Sequence, residues 1–102
     1  AGIELILKEM FMTAGDLDEI LLAGAFGNYI RKRSAQRIGL LPPAPPERIR
    51  FVGNAASTGA KMALLSRNAR EDADRISRKT RHIELAAMPE FMNTFMNSML
   101  FP

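Results

Sequence analysis

The chain has 102 residues, 47% hydrophobic and 25% charged, with a formal net charge of +3, which suits one small domain or a piece of a larger one. It contains no cysteine and one histidine, His82, which excludes disulfides, thiolate or multi-histidine metal sites and iron–sulfur ligation by these residues. The absence of cysteine is consistent with a cytoplasmic protein, which we expect. The mixed charge signs and the lack of an apolar run of roughly 20 residues predict that it binds neither nucleic acid nor membrane.

The first part of the chain carries helix and strand patterns in alternation. Apolar residues at helical spacing predict a helix over residues 2–12. The continuous apolar run at 20–23 predicts a strand of the parallel kind, buried on both faces. A second helix is expected to begin at about Tyr29 or Ser34 and to end at Ile38, just before a glycine.

The second part repeats the alternation after a proline-rich connector. Residues 40–46 contain four prolines, so they can form neither a helix nor a central strand. Residues 49–52 predict a second strand. A helix is then predicted from Ala55 to Lys79, with Asn68 as a candidate break.

The end of the chain adds a strand pattern and a helix pattern. Alternation over residues 82–85 predicts a third, edge strand, and Pro89 suits the first turn of a last helix. The overall pattern predicts an α/β fold, a short and largely parallel sheet flanked by helices, as one domain over 1–102. Methionines and phenylalanines at helical spacing around the last helix predict core packing, or burial by dimerisation: Met88, Phe91, Met92, Phe95, Met96 and Met99.

The same strand–glycine–helix construction occurs twice. Gly24 and Gly27 follow the first strand, and Gly53 follows the second. Ligands of open α/β sheets bind beyond the carboxyl ends of the strands, where glycine leaves the backbone bare and helix amides point outward. Asn28 and Asn54 add donors and acceptors there. The alternative is that these glycines serve only to pack strand against helix closely.

Several motifs, in order along essentially the whole chain, form a recognisable set: residues 22–30, 34–35, 37–42, 52–56, 59–61, 63–66, 84–86 and 101–102. With this set the sequence resembles the C-terminal region of the reductive activators of corrinoid proteins. In that family a ferredoxin-like region with a 2Fe–2S cluster precedes an ATPase domain of the sugar-kinase/Hsp70/actin (ASKHA) class. Some relatives carry 4Fe–4S clusters instead.

The resemblance implies a function. Activators of this family use ATP to help return an inactive cob(II)amide corrinoid protein to its cob(I)amide state. For this chain we therefore expect ATP, with Mg in the full-length protein, and a role in the methyl-transfer metabolism of anaerobes. The expected partners are a corrinoid protein or its methyltransferase complex, and the remainder of its own ATPase domain.

The resemblance also assigns the site. It places one stretch at the adenosine-side glycine motif of such ATPases and extends the role to two residues after the second strand: Gly24, Ala25, Phe26, Gly27 and Asn28, with Gly53 and Asn54. It assigns no catalytic residue and no metal ligand, because Asp16 and Asp18 precede the strand. We expect a C-terminal fragment of a larger ATPase domain that is inactive alone. The alternative function is a non-enzymatic module for protein interaction or self-association.

Overall fold

Helices and strands alternate in the first half of the molecule, and helices fill the second half. The computed structural model describes residues 1–101, without the side chains of Phe26 and Asn28. Its regular elements are α1 (Gly2–Glu9), β1 (Ile20–Ala23), α2 (Lys32–Arg37), β2 (Ile49–Gly53), α3 (Ala55–Leu65), α4 (Arg67–Lys79) and α5 (Phe91–Ser98). Four short 3-10 turns lie at Ala14–Asp16, Ala25–Tyr29, Pro46–Arg48 and Leu85–Ala87. The predicted α/β fold is confirmed.

The two strands form a parallel pair joined by a crossover that contains α2. Their register pairs Ile20 with Ile49 at one end and Ala23 with Gly53 at the other. A parallel pair needs such a crossover, since a tight turn can only reverse the chain. Both strands therefore end on the same side of the molecule.

The core lies where α2 and the connector cover one face of this sheet. Ile49 is fully buried and packs with Ala35 of α2 and Leu41 of the connector. Ile20 and Leu22 of β1 pack against this cluster from the sheet side. The cluster explains why α2 holds its position although it is only six residues long.

A glutamine fixes the proline-rich connector that supplies part of this core. The side-chain amide of Gln36 donates to the carbonyl oxygens of Pro42 and Ala44, at 3.2 and 2.7 Å. Proline has no backbone N–H, so such a segment depends on side-chain donors to pair its carbonyl groups. The predicted stiff connector thus folds back over the end of α2.

The prediction that the first strand is buried on both faces is wrong. Leu21 points away from the core and keeps 55% of its surface exposed, and Ala23 on the same face is exposed too. Successive side chains of a strand point to opposite faces, and α2 covers only one of them. The apolar run at 20–23 therefore presents half of its side chains to solvent in this chain.

The predicted third strand at 82–85 is also wrong. Residues 81–84 have no regular structure, and Leu85 opens a 3-10 turn. An edge strand requires a neighbour to pair with, and within residues 1–101 the sheet consists of β1 and β2 alone. The guanidinium of Arg81 lies 2.6 Å from the Glu9 carboxylate at the end of α1.

The first helix ends earlier than the apolar spacing indicates. The backbone N–H of Phe11 donates to the Lys8 carbonyl, and that of Met12 donates to the Leu7 carbonyl. These two bonds form a Schellman motif, which requires one residue in the left-handed region. Phe11 occupies that position with φ +56°, where glycine is the usual residue.

Helices α3 and α4 are separated at Ser66, two residues before the predicted break. The Ser66 hydroxyl accepts a hydrogen bond from the Ala69 N–H at 3.2 Å and so caps the start of α4. The two helices pack against each other. Apart from Ala69, every residue of α4 is exposed.

The predicted core packing of the methionine and phenylalanine set is wrong within the described residues. The rings of Phe91 and Phe95 stack with centroids 5.9 Å apart, and Phe91 is half-buried. Met92 and Met96, however, keep 61% and 55% of their surface exposed. Helix α5 packs mainly on α1 and on the turn before it, and most of its residues are exposed to solvent.

The molecule is extended for its length. Its radius of gyration is 16.0 Å, whereas a compact domain of this size has about 13 Å. No helix within residues 1–101 has the length and apolar character to cross a bilayer. A small core and long exposed helices indicate that much apolar surface remains to be covered.

The substitution Ile49→Ala tests the core. Ile49 is fully buried, so we expect the free energy of unfolding to fall by about 2–5 kcal/mol in urea denaturation. Ile76→Ala on α4 is the matched control, because Ile76 is 62% exposed and its loss should cost no more than about 0.5 kcal/mol. Similar losses for both variants would contradict the assignment of the core.

Candidate functional site

Both strand–glycine–helix units meet at one corner, at the carboxyl edge of the sheet. The backbone N–H of Gly24 donates to the Gly53 carbonyl oxygen at 2.8 Å, just beyond the paired residues Ala23 and Gly53. This bond joins the two turns that follow the strands. The structure therefore brings together the glycines that the sequence analysis placed in one site.

A bulge shapes the end of the second strand. Leu22 pairs with Phe51 but Ala23 pairs with Gly53, so Val52 has no partner on β1. An extra residue of this kind bends the strand and increases its twist, and such bulges are frequent beside functional sites. Here the bulge brings Gly53, rather than Val52, opposite the start of the first turn.

Gly24 and Gly53 are required by their backbone torsions. Their φ angles are +98° and +69°, in the region that side chains disfavour. A Cβ atom at either position would meet no other group within 4 Å. The two glycines therefore do not pack against a neighbour, and the space in front of their backbone is open.

Gly27 has a different reason to be glycine. It is buried, and a Cβ atom there would lie 3.4 Å from the Leu22 carbonyl oxygen and 3.5 Å from Cδ1 of Phe51. Close packing, the alternative considered for these glycines, thus applies to Gly27. Ala25 is exposed at the start of the same turn, while the side chains of Phe26 and Asn28 lie outside the described residues.

Asn54 caps the helix that starts at this corner. Its side-chain oxygen accepts a hydrogen bond from the Ser57 N–H at 3.2 Å, and its carbonyl accepts from the Thr58 N–H. The oxygen therefore serves the helix, and the amide NH₂ is the group left to contact a ligand. The amides of Ala55 and Ala56 begin α3 ahead of its first internal bonds and carry partial positive charge.

Phe51 and Lys32 interact with each other next to the corner. The Lys32 ammonium lies 5.5 Å from the centroid of the Phe51 ring and 3.3 Å from the Pro46 carbonyl oxygen. The same ring lies where a Cβ atom at Gly27 would meet it, so Phe51 of β2 lies beside both the first turn and Lys32 of α2. This pair was not predicted from the sequence. In the sequence, Phe51 is an aromatic residue inside a short strand. Such a residue predicts burial in the sheet, but it does not indicate a contact with a particular lysine.

Asp16, one of the acidic residues before β1, is engaged in local structure. The hydroxyl and the N–H of Thr13 both donate to the Asp16 carboxylate at 2.7 Å, and these bonds lower the pKa of Asp16 below its ordinary value. Within residues 1–101, no three or more His, Asp or Glu side chains gather where they could hold a metal ion.

A large groove lies away from this corner. It is a groove of about 1700 Å³ bounded by α1, α5 and the segment that runs from the end of α2 into the prolines. Of the predicted site residues whose side chains the structure describes, none lines it. The predicted site is thus an exposed edge of bare backbone rather than an enclosed pocket.

Comparison with known proteins identifies the family. Residues 1–102 match the protein-family model that is described as the C-terminal domain of RACo, the ASKHA domain. The chain belongs to this family. The resemblance found in the sequence is therefore confirmed, and the α/β architecture agrees with an ASKHA C-terminal domain.

A curated relative extends the comparison. The chain is 46% identical over 97 residues to the corrinoid activation enzyme RamQ of Eubacterium limosum. The aligned region covers 94% of this chain and 16% of RamQ. The chain thus spans about one sixth of the length of that relative.

Two Gly→Ala substitutions test why glycine occurs where it does in this ASKHA domain. Gly53→Ala places a side chain at φ +69° and should lower the free energy of unfolding by about 1–2 kcal/mol. Gly59→Ala lies inside α3 with open space around it and should raise that free energy by about 0.5–1 kcal/mol. Urea denaturation measures both, and changes of the same sign would contradict the torsional explanation.

Proposed function

We propose that this chain is the nucleotide-binding part of an ATP-dependent reductive activator of corrinoid proteins. Membership of the RACo family and the likeness to RamQ support the corrinoid context. The observation that carries the nucleotide assignment is the open corner, where Gly24 and Gly53 present bare backbone side by side. We propose that it acts in the cytoplasm of an anaerobe that uses corrinoid-dependent methyltransferases.

The corner suits the adenosine end of a nucleotide. A flat base or a ribose can approach the backbone at Gly24 and Gly53, since no neighbouring atom lies within 4 Å of where a side chain would begin. The amides of Ala55 and Ala56 offer donors with partial positive charge. The Asn54 NH₂ group adds a donor beside them. The turn that contains Ala25, Phe26, Gly27 and Asn28 forms the other wall.

Hydrolysis requires groups that lie outside this chain. The Asp16 carboxylate accepts hydrogen bonds from Thr13, and no three or more His, Asp or Glu side chains gather within residues 1–101 where they could hold a metal ion. The chain has no cysteine for an iron–sulfur cluster. In our proposal the remainder of the ATPase domain supplies the catalytic and Mg-binding groups, a separate region holds the cluster, and the partner is a corrinoid protein or its methyltransferase complex.

Calorimetry with ATP and ADP tests the nucleotide proposal. We expect the full-length activator to bind both nucleotides and Gly24→Ala to weaken binding at least about tenfold, about 1.4 kcal/mol, because its Cβ enters the space for the nucleoside. Gly59→Ala is the control and should leave the affinity unchanged. Circular dichroism checks that both variants fold. Absence of nucleotide binding in the full-length protein, or equal affinities for the two variants, would refute the proposal.

The second candidate function is self-association without nucleotide. It is favoured by the exposed Met92 and Met96 on α5, which form an apolar face that the described residues leave uncovered. Methionine adapts its shape readily, which suits such contacts. A homodimer would bury this face.

Light scattering tests this second function. Under it, the wild-type chain should run as a dimer, and Met92→Lys/Met96→Lys should run as a monomer with an unchanged helical spectrum. Ile76→Lys introduces a charge at another exposed apolar residue and should leave the mass unchanged. A monomeric wild type, or a dimer that survives the double substitution, would exclude self-association through α5.

A further inference from the structure

We propose that the groove between α1, α5 and the end of α2 binds an acidic amphipathic segment of a partner protein. This site is separate from the glycine corner and does not depend on the nucleotide proposal. Three properties of the groove lead to it. These are its size, its exposed apolar lining residues, which we call the floor, and its unpaired basic lining residues Arg33 and Arg37, which we call the rim.

The size of the groove favours a polypeptide. Its volume of about 1700 Å³ exceeds the ~300–1,000 Å³ typical of sites for small molecules. It runs along α1, past residues 38–44, and along α5 to residue 101. A long groove bounded by helices is the geometry that receives an amphipathic segment with apolar anchors at regular spacing.

The floor of the groove is apolar and exposed. Leu40, Phe95, Met99 and Leu100 all line it and are all exposed to solvent. A contiguous apolar patch of this kind marks a surface for protein interaction. The extended shape of the chain agrees, since its small core leaves much apolar surface uncovered.

The rim of the groove is positively charged. Arg33 and Arg37 line it four residues apart on α2, and neither makes an ion pair or a side-chain hydrogen bond within residues 1–101. Like charges at this spacing repel across one helix face. The third basic residue of the groove, Lys8, is already paired with Glu90 at 2.9 Å. The rim thus offers two guanidinium groups to carboxylates, which arginine binds in bidentate geometry.

The charge distribution also argues against a second copy of this chain. A two-fold contact places the same patch on both subunits, so the arginines of one rim would face a surface with the same excess of positive charge. Among the residues that the structure describes, Glu4 is the one acidic residue that lines the groove. An acidic partner removes this repulsion, whereas a second copy increases it.

Fluorescence anisotropy with synthetic peptides tests the proposal. The probe is a labelled amphipathic peptide of about 18 residues, five helical turns, with Leu and Phe on one face and Glu at i,i+4 spacing beside it. The comparison peptide carries Lys in place of Glu. We expect the Glu peptide to bind at least about tenfold tighter, with a difference that shrinks as salt is raised.

Matched charge reversals locate the binding. Arg33→Glu/Arg37→Glu should abolish or invert the preference for the Glu peptide. Arg67→Glu/Arg70→Glu makes the same change in net charge on the exposed helix α4, away from the groove, and should leave the preference intact. Phe95→Ala should weaken binding of the Glu peptide by removing the floor. If the first double variant fails to fold, Arg33→Gln/Arg37→Gln replaces it and should reduce the preference.

Three outcomes would overturn the proposal. Equal binding of the Glu and Lys peptides would remove the role of the rim. Equal effects of the α2 and α4 charge reversals would show that the preference for the Glu peptide depends on the net charge of the chain and not on the rim. A dimer in sedimentation that Phe95→Ala dissociates and that the Glu peptide does not displace would make the groove an interface between copies of this chain.

Discussion

The burial of Ile49 under α2 and Leu41 is the packing contact on which the rest of the structure depends. Ile49 pairs with Ile20 at the start of the sheet, so the same contact fixes the register of β1 against β2. A one-residue slip would turn Ile49 to the solvent face. Because the register is fixed at that end, both strands finish side by side, and the Gly24 N–H meets the Gly53 carbonyl. The geometry of the candidate site is therefore a consequence of the core.

Local sequence patterns predicted most helices and strands correctly. They failed where the structure of a segment depends on which other segment it contacts. We could predict the bounds of β1, the parallel pairing of the strands and the short helix α2. Apolar runs and the glycines that end helices are local signals in the sequence. The strand expected at 82–85 could not be judged from alternation, since pairing depends on a neighbour. The core role expected of Met92 and Met96 failed for a related reason: helical spacing shows that a face is apolar, but it does not show what covers it.

The candidate site was predictable in position but not in the role of each residue. Strand ends and glycines indicated the corner, and the structure adds that Gly24 and Gly53 leave open space while Gly27 packs against Phe51. That distinction depends on φ angles and on the distance to a neighbouring chain segment, neither of which spacing encodes. Likewise, the side-chain oxygen of Asn54 already accepts a hydrogen bond from the Ser57 N–H at the start of α3. In the proposed nucleotide site, the backbone therefore contributes more than the side chains do.

The near isolation of α4 has a consequence for local dynamics. This helix packs on α3, and its surface carries the pairs Asp72–Arg75 and Asp74–Arg78, which are exposed and individually weak. A helix of 13 residues is marginal in water when so little of it is buried. Its backbone amides should therefore exchange with solvent through local fraying, while those of β1 and β2 exchange only when the Ile49 cluster opens. The two halves of the chain would then report on different unfolding reactions.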